Sequence, residues 1–551
     1  MRLITLFVAS VMLLGSHAQA AEPQSGRGTY EDLVSLFDEF LQWKDKPPEV
    51  GEISDSVPWS QVEDWSDKAV RDRRKRVRRF LRELGKMNVA AWPQEQQAEF
   101  LAVRAKVQEE NFRLHVANPW ERDPGYYVDQ MMYLTFTDLP VSDDARARLE
   151  GQLNAIPVLV SEAKRNLDNV AADYRALAMK NLRQADGVGH GHPYREIPPA
   201  GVIGWYDDFL IRAKTAQPDL VPLINAAREA VVDFEQFLID GESTMTGQAG
   251  VGEEAFDWYL KNVKLLPYTS DEIVLLGLRE LDRLWATYSL ERHRNRNLPE
   301  LEPAQSAEDY AQRITDADEM IRAFLVENDV ITIPSYIKEL STNVPWIVRP
   351  DGRNFWEEVQ FRDPSPDHLH AVIPGHRYDG KVEDANTHPI RGRISDGVRV
   401  EGWGVYLEEG MQHLGIFEDR PRTRELIAIF GIFRAARVPA DVWLQHNEMT
   451  VDEVIAYWRE RVPYLDPNVA RVDAEIYLRR PPGYGLGYTI GMLQMQELLA
   501  DVRRPQADEF VLQDFHDQFM AKGRLPMTVI QWEMTGDDTI VEDFWEADPL
   551  P

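Results

Sequence analysis

His370-Ala-Val-Ile-Pro-Gly-His376, followed downstream by Glu401-Gly402-Trp403-Gly-Val-Tyr406-Leu-Glu408, is the stretch on which the fold turns. A hydrolytic zinc site takes three protein ligands and leaves one position open. In helical zinc peptidases two of those ligands are the histidines of His-Glu-x-x-His, and the third is a Glu on a following helix. The glutamate after the first histidine is the general base that deprotonates the attacking water. Ala371 stands at that position here, and the histidines are six residues apart. Six residues of ideal helix turn through ~240°, so two rings on one straight helix would face different ways. Pro374 also lacks the backbone donor that would reach the His370 carbonyl. A helix that ends or bulges at Pro374-Gly375 is what brings both rings to one metal. Taken alone, a histidine pair of this spacing in a chain with 12 histidines reads first as polar surface or as satisfied core groups.

Working outward, the sequence is predominantly helical in its periodicity. Leu33, Leu36, Phe37, Phe40 and Leu41 recur at helical spacing, and the same period returns over Leu153–Leu182 and Leu220–Ile239. Thr269-x-x-Glu272 and Thr450-x-x-Glu453 are capping boxes, each ahead of an apolar stripe. Strand signals cluster between Val330 and Ile373, in Val330-Ile-Thr-Ile333, Pro345-Trp-Ile-Val348 and Val372-Ile-Pro374. These predict a mainly α protein with one small β-sheet near the active-site cleft, just before the histidine motif. Gly, Ser and Thr accumulate over Gly241–Gly252. That boundary divides an N-terminal helical region (21–240) from a region carrying the candidate metal site (241–551). The basic run Arg71–Arg79 reads as a solvated helix face pairing with neighbouring carboxylates.

Composition narrows the function classes. The 551 residues are 44% hydrophobic and 28% charged, an ordinary globular balance. A net charge of -31 disfavours nucleic acid and favours neutral or cationic ligands. Arg2, the apolar stretch Leu3–Leu14 and Ala18-Gln19-Ala20 read as a secretory signal over residues 1–20, which predicts a periplasmic protein. No later apolar segment has the length of a membrane span. The sequence has no cysteine, so disulfides and lipid attachment at cysteine are excluded.

Several ordered motifs together resemble the bacterial domain-of-unknown-function 885 family, whose hallmark is His-Glu-x-x-Pro-Gly-His followed by Glu-Gly-Trp-Ala-x-Tyr-x-Glu. Gly252-Glu-Glu-Ala-Phe-Asp-Trp-Tyr259, Tyr268-Thr-Ser-Asp-Glu-Ile273, Pro482-x-Tyr484-x-Leu-Gly-Tyr488-x-Ile-Gly491, and Phe515-His516 with Gly523-Arg-Leu-Pro526 look like its later segments. The likeness is specific from about Gly250 to the C-terminus and general before it. It implies a helical zincin-like fold akin to the carboxypeptidase Taq and oligopeptidase groups, with zinc as cofactor and His370, His376 and Glu401 as its ligands. Glu408, seven residues beyond Glu401, shares its helix face. It is either a surface carboxylate or a partner that orients a ligand histidine, and it is also the candidate replacement base. Tyr488 matches the family tyrosine and is a candidate donor to the oxyanion of a tetrahedral intermediate; packing beside the glycines is the competing reading.

Three departures bear on catalysis. Ala371 cannot accept a proton. Gln445 stands where a comparable stretch commonly ends in His, although His446 follows. Tyr484 replaces a common Gln. His368 is an alternative ligand, His516 reads as structural, and His190 and His192 sit in a Gly-rich loop that reads as solvent-facing or as covering the cleft. The resulting expectation is an exported zinc-dependent hydrolase of peptides or small amides by ancestry, with impaired or altered catalysis. The alternatives are a non-catalytic protein that binds a peptide or a partner protein, and metal-assisted acyl transfer without a glutamate base.

Overall fold

The N-terminal apolar periodicity forms a helix over Tyr30–Lys44 that buries Leu33, Phe37 and Phe40. A computed structural model of the chain describes residues 28–44, 63–184, 199–338, 340–341, 344–349 and 352–551. The secretory segment and the His190/His192 loop lie outside these residues. The long apolar stretch from Leu153 resolves into two helices, Asp143–Asn166 and Ala172–Arg183, and the next period gives Val221–Asp240. The basic run lies on the Asp67–Leu84 helix, where Arg73 pairs with Glu63 while Arg76 and Arg79 pair with Glu39.

Ten helices carry or surround the candidate site. They are α1 (Gln94–Phe112), α2 (Glu253–Asn262), α3 (Ser270–Arg294), α4 (Ala307–Glu327), α5 (His376–Asp384), α6 (Gly397–Leu414), α7 (Thr423–His446), α8 (Pro467–Arg479), α9 (Gly487–Gln506) and α10 (Leu512–Ala521). The two capping boxes start helices as the sequence predicts: Thr269 and Glu272 cap α3, and Thr450 and Glu453 cap the Val451–Arg461 helix. Residues 241–252 link the two halves, and the largest apolar cluster takes side chains from both sides of that link, from Leu33 to Phe544. No helix among the described residues is long and apolar enough to cross a membrane.

The expected β-sheet does not form among the described residues, where only two isolated bridges occur, Ala171 with Gly247 and Ser395 with Arg524. The reason lies in how the backbone of the Val330–Ile333 segment is satisfied. The Val330 carbonyl accepts from His516 Nδ1 at 2.7 Å, the Thr332 amide donates to Asp517 at 3.0 Å, and the Thr332 carbonyl accepts from the Tyr378 hydroxyl at 2.5 Å. Side chains remote in sequence take the place of a ladder. Val372 belongs instead to a π-helical turn, and Ile373 donates back to the His368 carbonyl at 2.9 Å.

Two helix pairs frame the second half, α3 against α7 and α6 against α9. The latter pair meets at Gly402 and Gly491, where a Cβ on Gly402 would lie 2.4 Å from the Gly491 carbonyl carbon. Backbone therefore touches backbone, which fixes the ends of α6 and α9 that bear the candidate site. Helix α7 is buried on nearly every side, so each ionisable group within it requires a partner. Arg434 pairs with Glu408, and Arg437 pairs with Asp473 at 2.5 Å. Asp441 accepts the Leu486 amide at 3.0 Å and so fastens the turn that leads into α9.

Gly402→Val should lower unfolding stability by about 1–3 kcal/mol or more, because the added methyls meet backbone rather than yielding side chains. Gly397→Ala, where a Cβ would meet nothing within 4 Å, should change denaturation little. The Asp441 carboxyl is pushed up by burial from an ordinary 3.8 to about 7, against the pull of the Leu486 and Gly485 amides, the Lys264 charge and the Gly483 amide. Between those values the folded chain holds a proton that the unfolded chain releases, so this group makes stability fall as pH rises. Asp441→Asn should remove that slope, and urea midpoints measured at about pH 5 and about pH 8 should show the variant gaining on the wild type at the higher pH. An unchanged difference between the two pH values would contradict the assignment.

Candidate metal centre

The six-residue spacing is accommodated by breaking the helix between the two histidines. His370 lies in the π-helical turn His368–Val372, whereas His376 is the first residue of α5. Between them the chain doubles back at Pro374-Gly375, and Gly375 is indispensable there because a Cβ would sit 1.8 Å from the His370 carbonyl oxygen. Trp403 holds this connection by donating its indole N–H to the Pro374 carbonyl at 2.9 Å. Helix α5 is fastened from its other side, since Asp379 pairs with Arg399 at 2.7 Å and with Arg524 at 2.9 Å. The motif Trp403 and the closing-motif Arg524 therefore both act on the placement of His376.

Helix α6 presents Glu401 and Glu408 on one face, and the His370 ring lies along that face between them. Its Nε2 is 3.5 Å from Glu401 Oε2, and its Nδ1 is 3.0 Å from Glu408 Oε1. Gly404 provides the seat, since a Cβ there would lie 2.6 Å from the ring carbon Cε1. The His376 ring meets the same Glu401 oxygen with its Nε2 at 3.2 Å, and the two imidazoles stand at 81° with centroids 4.5 Å apart. His370, His376 and Glu401 each offer a donor atom within 4.8 Å of the others.

These spacings can be tested against a metal. Donors at about 2.0–2.1 Å from a tetrahedral ion lie about 3.3–3.4 Å from one another. The two separations measured from Glu401 Oε2, 3.2 and 3.5 Å, bracket that edge length. The donor set, two neutral-capable imidazoles and one carboxylate, suits zinc and other borderline divalent ions. The electrostatics point the same way. Burial pushes the Glu401 carboxyl up, but the His370 and His376 rings outweigh it and hold the group well below the usual carboxylate range. Burial and the Arg434 charge push the His370 ring down, and Glu401 and Glu408 more than compensate, so its pKa is raised. The Glu401 carboxylate and the His370 imidazole thus favour holding a positive charge between them, which a divalent cation would supply.

Around this cluster sit groups that the sequence indicated and others that it did not. Tyr484, in the turn before α9, donates to Glu401 Oε1 at 3.2 Å, the oxygen turned away from the histidines. Tyr488, in the first turn of α9, lies parallel to His370 at 6.4 Å and places its hydroxyl 3.5 Å from that of Tyr484. The Arg437 guanidinium lies 4.8 Å from the Tyr488 ring centroid. Burial, reinforced by Glu401, raises both phenols above their ordinary range, so both remain protonated donors near neutral pH. Glu408 is buried between His370 and Arg434. Arg434, Arg437 and Asp441 escaped the sequence reading, although charges inside the apolar run from Leu426 to Leu444 were a visible signal.

The remaining candidates lie apart from the cluster. His368 turns to Asp318 of α4, with Nε2 2.8 Å from its carboxylate. Gln445 donates to the Tyr477 carbonyl at 3.0 Å, and His446 packs edge-on against Phe256. His516 bridges Val330 and the Tyr406 hydroxyl, 2.9 Å away, and burial lowers its pKa to about 4, so the ring is neutral. Ala371 is buried.

Two solved structures resemble the fold at low sequence identity. One is described as "a putative lipoprotein of unknown function" from Shewanella oneidensis; at 14% identity and a TM-score of 0.67 it matches 92% of this chain and 100% of its own. The other, "the putative lipoprotein" from Colwellia psychrerythraea, matches 93% of this chain and 99% of its own at 16% identity and a TM-score of 0.69. They establish a shared fold. No curated protein matches the sequence. The family model described as "Bacterial protein of unknown function (DUF885)" matches residues 49–330 and 368–534, extending well into the N-terminal half where individual motifs are faint. The chain belongs to the DUF885 family of bacterial proteins.

Proposed function

We propose that His370, His376 and Glu401 hold a zinc ion, and that the protein is an exported, metallopeptidase-like binder of peptides or small amides in which hydrolysis is impaired. The observation that carries this reading is the meeting of both Nε2 atoms on one Glu401 oxygen at 3.2 and 3.5 Å. Once bound, the ion supplies a Lewis acid that polarises a ligand carbonyl. The chain's own groups then divide the remaining work. Glu408, its Oε1 3.0 Å from His370 Nδ1, stands against the ring from the side opposite Glu401 and keeps Nε2 turned toward it. That placement puts its carboxylate behind the ring, and Arg434 neutralises it, so Glu408 is a positioning residue and not a substitute base. Tyr484 orients Glu401 through Oε1. Tyr488, kept protonated by burial and the Glu401 charge, donates a hydrogen bond to negative charge developing on a carbonyl oxygen.

Among the described residues, the site has no free proton acceptor facing the reaction. Ala371 offers none, Glu401 serves as ligand, and Asp473 is committed to Arg437. General-base catalysis is typically worth ~10²–10⁴-fold in rate, and that factor is missing. Export is supported by the N-terminal signal pattern and by the lipoprotein descriptions of the two related structures, although this sequence has no cysteine to take a lipid.

Elemental analysis of the purified protein should find one zinc per chain, lost in His376→Ala. Protein that stays metal-free after equilibration with zinc would overturn the ligand assignment. Ala371→Glu should raise cleavage of a chromogenic peptide or amide by ~10²–10⁴-fold over wild type in a chelator-sensitive manner. A zinc-loaded Ala371→Glu protein with no such gain would favour the purely binding role.

A further inference from the structure

The Asp67–Leu84 helix runs against the charge of the rest of the chain. Nine of its 18 residues are Lys or Arg and three are acidic, in a sequence whose net charge is -31. Val70, Val77, Phe80 and Leu84 form its buried side. Four of the basic residues are tied to the protein. Arg73 reaches Glu63, Arg74 donates to the Leu114 carbonyl at 2.6 Å, and Arg76 and Arg79 pair with Glu39. The other five, Lys68, Arg71, Lys75, Arg78 and Arg82, are all exposed. At about 100° per residue they fall within one arc of about 80°, centred about 155° from the apolar side. No other residue of the helix shares that arc. Asp67, Asp72 and Glu83 lie outside its edges, and Glu83 pairs with Lys86 at 2.8 Å.

This row is not needed for solubility, which the acidic balance of the remaining chain already supplies. Nor is it built like the core of a protein–protein contact, which takes aromatic or apolar anchors and is depleted in lysine. The arc offers no such anchor. A rise of about 1.5 Å per residue makes the row about 21 Å long and straight. Its partner must therefore present anions along a line of that length. A bilayer containing anionic lipid does so, because its head groups form a charged plane that attracts Lys and Arg close to it. The negative charge of the rest of the chain opposes such a contact weakly, since salt screens charges beyond about 8–10 Å. We propose that Lys68, Arg71, Lys75, Arg78 and Arg82 dock the protein on an anionic membrane surface, held by electrostatic attraction without insertion. Export, as proposed above, brings lipid rather than nucleic acid within reach of this face. Neither a metal nor a peptide takes part in the contact.

Co-sedimentation of the full mature protein with lipid vesicles tests this. Phosphatidylcholine vesicles containing about 30 mol% phosphatidylglycerol should carry the protein down at about 0.05 M salt and release it at about 0.5 M. Vesicles of phosphatidylcholine alone should not. Each cation close to such a surface is worth about fivefold in binding, so Lys68→Gln/Arg71→Gln/Lys75→Gln should weaken it by about 10²-fold. Lys214→Gln/Arg279→Gln/Arg459→Gln removes three exposed cations from other helices, with the same change in net charge, and should bind like the wild type. Both variants should keep the wild-type urea midpoint, because exposed substitutions cost little. An equal loss in the two variants would overturn the proposal, as would no binding to the anionic vesicles or equal binding to phosphatidylcholine alone. Binding to a short DNA duplex as tight as to the vesicles at the same salt would overturn the lipid assignment. Chelator-treated protein should sediment as untreated protein does, which keeps this result separate from the fate of the zinc assignment.

Discussion

The His370 ring rests on the face of α6 with a carboxylate at each of its nitrogens, Glu401 at Nε2 and Glu408 at Nδ1. Much of the second half serves this one contact. Glu401 and Glu408 are seven residues apart, so two helical turns bring them onto the same face, with Gly404 between them leaving room for the ring. Burying two carboxylates so close together is costly unless each is compensated. Arg434 compensates Glu408 from the otherwise apolar helix α7. His376 and Tyr484 compensate Glu401 from α5 and from the turn before α9. The backbone contact of Gly402 with Gly491 then makes the positions of these partners interdependent, because α6 and α9 cannot slide without collision.

The helical character was legible from apolar periodicity and capping boxes, since both are local properties. The residues of the candidate centre were legible as a set because a family motif preserves their order. Their geometry was not, because a six-residue spacing makes sense only after a π-helical turn and a glycine that lets the chain touch the His370 carbonyl. The small sheet was misread for a related reason. Val330-Ile-Thr-Ile333 has the composition of a strand, but His516, Asp517 and Tyr378 satisfy its backbone from far along the chain, and no local propensity encodes such partners. Arg434, Arg437 and Asp441 were readable in principle as charges within an apolar run.

The tyrosines beside Glu401 bear on what the site is able to do. A general base must be deprotonated near the working pH. Tyr484 and Tyr488 are driven the other way, first by burial and then by the Glu401 charge, so both keep their protons. With Ala371 unable to accept a proton, the proposed site has electrophilic and hydrogen-bond-donating capacity but, among the described residues, no matching acceptor. Such a site favours carbonyls and carboxylates over the activation of water. The ring seat at Gly404 and the buried Glu408–Arg434 pair hold the His370 ring with Nε2 toward Glu401, and burying such a charge pair costs free energy that apolar side chains in its place would not. That cost is the one expected where the orientation of a single ring matters more than packing, as the proposed binding role requires.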